Sequence, residues 1–184
     1  MRVFSAIPLP EPVRDHLAGA LAMVDHANPA VSTPSSARWD PAANWHVTLG
    51  FYGDRPAQAV DDLIGGLASA ARLTDRFELS LAGAGTFRQD VCWIGVADPA
   101  RALPGLAERL REGYATPNQH AHNRFHVTIA RAGRRSGLAS AMAALSVYRG
   151  PAWTVDQIVL YRSDLGAGPG GHPLYTALAA YGLG

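Results

Sequence analysis

Lysine is absent from this chain of 184 residues: all 16 cationic side chains are arginine. That excludes every mechanism built on a lysine amine, including ligation through an adenylylated lysine and Schiff-base chemistry. Cysteine occurs once, as Cys92 in the apolar run Val91-Cys92-Trp93-Ile94. It has no partner for an intrachain disulfide, so a packing role in a reducing compartment is expected. No apolar run approaches the ~20 residues of a spanning helix. The opening Met1 to Pro8 is too short, and too soon interrupted by proline, to serve as a signal peptide's apolar region. These absences lead us to expect a cytoplasmic protein with no membrane partner. Charge is also scarce, at 17% of residues with a net charge of +1, which excludes nucleic-acid binding by bulk electrostatics. Any phosphate contact must come from a local cluster. The 48% of hydrophobic residues exclude global disorder and suffice for one domain, or for two lobes sharing a core.

What the chain does contain is one phrase said twice, Trp45-His46-Val47-Thr48-Leu49 and Phe125-His126-Val127-Thr128-Ile129. Both copies read as β-strands, whose side chains alternate between faces. His46, Thr48 and Gly50 then share one face, as do His126, Thr128 and Ala130. Val47, Leu49 and Phe51, with Phe125, Val127 and Ile129, take the opposite faces, expected to be buried under helices.

The surrounding pattern is an alternation of short strands and helices. A strand over 2–7 precedes a helix entered at Pro12 and running to about Asp25, where Val13, Leu17, Leu21 and Val24 fall at helical spacing. A loop over 28–36, with two prolines and four Ser/Thr residues, leads through an extended piece at Arg38-Trp39 to the first histidine strand, 45–51. Val60, Leu63, Ile64, Leu67 and Ala71 make an apolar stripe on a second helix. Phe77, Leu79 and Leu81 alternate as a strand. The second half repeats the rhythm: strand 91–96, helix 103–110, a polar stretch, histidine strand 125–130, helix 138–145, strand 153–161, and a glycine-rich link over 166–171 to a last strand near 174–178. This predicts an α+β fold of two similar lobes, approximately 1–85 and 86–184, within a single domain.

Histidine titrates near neutrality without a large environmental shift. One imidazole can take a proton from a nucleophile while a second, protonated, donates to a leaving oxygen. That pairing suits phosphodiester cleavage without a metal. Threonine hydroxyls aimed the same way can hold nonbridging phosphate oxygens. Other features carry less. His120, His122 and His126 lack a cysteine or close carboxylate to complete a metal site, so no metal is expected. The Gly166 to Gly171 segment lacks the Lys-Ser/Thr ending of a P-loop and reads as a hairpin loop at the cleft mouth. Arg124, Arg131, Arg134 and Arg135 form the dense basic cluster and either guide an RNA strand or solvate a turn. Trp39 and Trp45 are candidates for stacking a base, with core packing the competing reading.

These motifs resemble those of the 2H phosphoesterases, named for two H-x-[ST]-x repeats, and within them the RNA 2′,3′-cyclic phosphodiesterases, also called 2′-5′ RNA ligases. Arg2-Val3-Phe4-Ser5-Ala6-Ile7 is similar to that family's opening. His46 to Gly53 is similar to its first motif, and Phe125 to Arg131 to its second. Val159 to Ser163 and Pro173-Leu174-Tyr175 are similar to its late strands. The resemblance implies a bilobal fold of two pseudosymmetric lobes, antiparallel sheet inside and helices outside, around a central cleft. It implies hydrolysis of RNA 2′,3′-cyclic phosphate ends, tRNA fragments among them, to 2′-phosphates by a cofactor-free monomer. Carried onto this chain, His46 is the proton donor and His126 the acceptor, with Thr48, Thr128 and Arg131 on the phosphate. Strand parity sets Arg131 opposite His126, so its role requires a bulge or the strand's end there. Tyr52 stands where many relatives carry leucine and is given no functional role. The same site also admits a small nucleotide such as an ADP-ribose cyclic phosphate, and the reverse reaction, 2′-5′ ligation. A noncatalytic RNA-end binder is the competing class.

Overall fold

The computed structural model describes residues 1–27, 37–88, 90–111, 114, 124–132 and 138–184. Its elements follow in the order β1 (Arg2–Pro8), α1 (Glu11–Ala27), β2 (Ala37–Trp39), β3 (His46–Asp54), α2 (Ala57–Arg72), β4 (Phe77–Phe87), β5 (Val91–Ala97), α3 (Ala102–Arg111), β6 (His126–Ala132), α4 (Leu138–Leu145), β7 (Arg149–Val155), β8 (Gln157–Asp164) and β9 (Leu174–Gly182). The helices form where apolar residues recur every three to four positions. In α2 that stripe is Val60, Leu63, Leu67 and Ala71, all buried. In α3 it is Leu103, Leu106 and Leu110, and the Asp98 carboxylate accepts from the free Ala102 and Leu103 amides at 3.1 and 2.9 Å. A carboxylate there satisfies orphan donors and complements the helix dipole.

The strands form two antiparallel sheets, one ordered β3-β1-β8-β9 and the other β2-β6-β5-β4-β7. Helices α2 and α3 pack on the first, and α1 and α4 on the second. Val47 and Leu49, with Val127 and Ile129, are buried in this core. Each sheet draws strands from both ends of the chain, so a cut near residue 85 would leave neither complete. The remaining faces meet where β3 contacts β6, which sets the two histidine strands against each other.

The continuous strand expected over 153–161 is two strands in different sheets. Trp153 and Val155 are buried in β7, whereas Ile158 and Leu160 are buried in β8. The alternation slips phase at Asp156, where the chain crosses between sheets and the Asp156 carbonyl accepts the Leu183 amide at 2.8 Å. Strand β4 also runs past Leu81, because a register shift between Leu81 and Ala84, with Gly83 at φ 68°, absorbs the break in its pattern. The loop over 28–36 lies outside the described residues.

Candidate active site

His46 and His126 are each the first residue of their strand, and the preceding turn holds each in the same way. Nδ1 of His46 donates to the Asn44 carbonyl at 2.7 Å, and Nδ1 of His126 to the Arg124 carbonyl at 3.0 Å. A carbonyl can only accept, so in both rings a proton is held on Nδ1, and Nε2 is the nitrogen through which a proton would pass to or from a reacting group. Burial lowers the pKa of His46 to about 4; the Asn44 carbonyl works against that shift, and a charge on His126 adds to it. The influence of His126 on His46, with β3 in contact with β6, sets the two rings near each other across the sheets. It also disfavours their simultaneous protonation.

Aromatic rings wall both sides. His46 lies 4.9 Å from Phe4, 5.4 Å from Tyr175 in edge contact, and 6.5 Å from Tyr161, measured between ring centroids. His126 stands edge-on to Phe87 at 4.8 Å and 6.3 Å from Trp93. Thr48 shares the His46 face, opposite Ala6 in the register, and Thr128 shares the His126 face, opposite Trp93.

Past each threonine the strand bulges at the equivalent residue. Thr48 pairs with Ala6 and Gly50 with Ser5, which leaves Leu49 as the extra residue. Beyond that point the sides exchange. Phe51 therefore pairs with Phe4 on the His46 side and is 49% exposed, where strict alternation set it with Val47 and Leu49 on the buried face. Tyr52 turns inward instead. Its hydroxyl lies 2.8 Å from Ser5 Oγ and donates to the Leu110 carbonyl at 3.2 Å, and burial raises its pKa. A Cβ at residue 50 would come within 3.2 Å of that hydroxyl, which accounts for Gly50. Tyr52 is thus a tie between β3, β1 and the end of α3.

In the second motif Thr128 pairs with Trp93 and Ala130 with Cys92, so Ile129 is the extra residue and Arg131 pairs with Val91. Val91 and Trp93 share a face, so Arg131 returns to the side of His126 and Thr128. Its charge reaches Tyr175, whose phenol is pushed up by burial and by Asp40 and drawn back down by Arg131. Directly opposite Arg131 on β2 stands the exposed Arg38. Sequence reasoning passed over Arg38, because only the β2–β6 pairing, ninety residues apart in the chain, brings it here.

The tryptophan candidates pack away from the cleft. Trp45 is buried and its indole N–H donates to the Asp40 carbonyl at 3.0 Å, while Trp39 pairs with Ala130 and packs against the core. Just past the glycine-rich link the chain is anchored: Asn44 Nδ2 donates to the Pro173 carbonyl at 2.9 Å, and the His172 ring lies 3.3 Å from the Asp40 carboxylate. Cys92 is buried and its thiol pKa is raised by that burial, which suits packing. His120, His122, Arg134 and Arg135 lie outside the described residues. No helix among the described residues is long and apolar enough to cross a membrane.

Known proteins share this fold. A family model described as the 2′-5′ RNA ligase superfamily matches residues 13–167. An RNA 2′,3′-cyclic phosphodiesterase of Thermus thermophilus is 32% identical over 100% of this chain and 90% of its own length. One of Geobacillus stearothermophilus is 31% identical over 79% of this chain, an alignment spanning 47% of that protein. Among solved structures, Escherichia coli LigT superposes with a TM-score of 0.76 in its apo form, at 27% identity over 99% of this chain and 96% of its own. Its complex with 3′-AMP gives a TM-score of 0.70. With the family model matched over residues 13–167 and the fold shared over nearly the whole chain, the chain belongs to the 2′-5′ RNA ligase superfamily of 2H phosphoesterases.

Proposed function

We propose that this protein hydrolyses terminal 2′,3′-cyclic phosphates of RNA to 2′-phosphomonoesters, as a cytoplasmic monomer and without a metal. The observation that carries the reading is the duplicated clamp: two imidazoles, each the first residue of its strand, held alike by Nδ1 on main-chain carbonyls. In the proposed step a water attacks phosphorus and the bond from phosphorus to O3′ breaks. His126 takes the proton of the attacking water, and His46, protonated, supplies one to O3′. Thr48, Thr128 and Arg131 hold the nonbridging oxygens as charge builds on them. Among the described residues neither threonine hydroxyl is committed to another protein group. A neutral His46 cannot donate from Nε2, so its low pKa in the empty site requires the bound phosphodiester to supply the charge that draws in a proton. Ligation uses the same groups, with a 5′ hydroxyl in its reverse form in place of water.

The test incubates the protein in excess EDTA with a short RNA ending in a 2′,3′-cyclic phosphate and separates the 2′- and 3′-phosphate products. A 2′-phosphate is expected. A 3′-phosphate overturns the regiochemistry, loss of turnover in EDTA overturns metal independence, and no reaction by folded protein leaves a small cyclic nucleotide or binding alone.

A further inference from the structure

Beside His126 the second sheet carries glycine at two positions that side chains cannot occupy. The indole of Trp93 lies against Gly85, where a Cβ would come within 2.4 Å of the ring, and Gly95 stands opposite His126, where a Cβ would meet the Ala82 carbonyl at 2.6 Å. Next to Gly95 lies a hollow of about 580 Å³, walled by Trp93, Gly95, Asp98, Arg101, Arg124 and Phe125 among others. This is within the range of a small-molecule site. His126 itself does not line it. The two are nonetheless joined, since the Arg124 carbonyl holds His126 Nδ1 at 3.0 Å while the Arg124 guanidinium stacks on Trp93 at 5.0 Å.

The chemistry of the walls is that of a nucleotide site. Two guanidiniums face it, and among the described residues neither Arg101 nor Arg124 forms a salt bridge. The one carboxylate, Asp98, is already engaged by the Ala102 and Leu103 amides. The Trp93 indole N–H has no acceptor among the described residues. Arg101 holds φ at 52°, a left-handed conformation in which glycine or asparagine would be less strained.

We infer that this hollow receives the nucleotide one step upstream of the terminal cyclic phosphate, its base against the Arg124–Trp93 pair and its backbone phosphate on Arg101. The inference rests on the cyclic-phosphodiesterase reading and makes the protein selective for RNA ends over free cyclic nucleotides. Base stacking and one phosphate contact are together worth about tenfold or more.

The experiment compares kcat/KM on adenosine 2′,3′-cyclic phosphate and on a trinucleotide ending in the same group, for the wild type, Arg101→Gly and Ser146→Tyr. Arg101→Gly suits the backbone, and Ser146→Tyr puts a ring into the hollow from its other wall. The wild type is expected to prefer the trinucleotide at least about tenfold, and both variants to lose most of that preference with the mononucleotide rate unchanged. Equal rates on the two substrates, or equal losses on both in the variants, overturn the subsite. Calorimetry with a trinucleotide 2′-phosphate and with adenosine 2′-phosphate separates the two claims. Tighter trinucleotide binding that Arg101→Gly abolishes supports the subsite even if no turnover occurs; equal affinities with turnover intact sink the subsite alone.

Discussion

Binding of a phosphate ligand should convert His46 from a base into an acid. In the empty cleft its pKa of about 4 leaves about one ring in a thousand protonated at pH 7. A phosphoryl charge ~4 Å from Nε2, at an effective dielectric of ~20, favours the imidazolium by ~4 kcal/mol, which is ~3 pK units. The bound-state value is then about 7, matched to a proton donor at neutral pH. The assay follows the His46 ring resonances by NMR through a pH titration, with and without saturating adenosine 2′-phosphate, assigning them by their loss in His46→Asn. We expect the midpoint below pH 5 in the free protein and near 7 in the complex, with the basic limb of kcat at higher pH than that of kcat/KM. A midpoint still below 5 in the complex, or near 6.5 in the free protein, would refute the coupling and remove His46 as donor.

Alanine at His46 or at His126 should lower kcat by about 10²-fold or more with the fold retained; a loss below about tenfold in either would sink the role assignment. Thr48→Val and Thr128→Val are expected to be milder, and parallel assays of kcat and KM on one RNA substrate check this. Tyr52→Phe leaves Ser5 and the Leu110 carbonyl without their shared partner, and should cost about 1–2 kcal/mol in urea unfolding with turnover little changed. Stability should also fall with acid. His46 is neutral in the folded chain down to about pH 4, while the unfolded chain takes up its proton near 6.5. Stability attributable to this group is therefore fully present above pH 6.5, and up to ~3 kcal/mol is lost as pH falls toward 4. Denaturation midpoints across that window, flatter in His46→Asn, measure it.

Local pattern carried most of the elements. Helical spacing of Val60, Leu63 and Leu67, and the alternation through His46-Val47-Thr48, are effects within a few residues, and the two H-x-T phrases made the histidines legible before any fold was known. Alternation also predicted the shared face of each His/Thr pair correctly, as far as the threonine. It failed beyond Leu49 and Ile129, which are buried as expected but are extra residues, because a bulge is a property of two paired strands. These extra residues, with a second one at Tyr52 in the first motif, leave Phe51 exposed and Tyr52 buried and swing Arg131 to the histidine side.

The chain by itself determined the chemistry available: an imidazole and a hydroxyl in each of two H-x-T phrases, arginine with no lysine, and one cysteine. Tertiary structure decided what meets what. Pairing β1 with β3 and β8, and β6 with β2 and β5, assembles Phe4, Tyr161 and Tyr175 around His46, and Arg38 opposite Arg131. No local period encodes these meetings, because they depend on register between strands distant in sequence and on burial of the faces behind them.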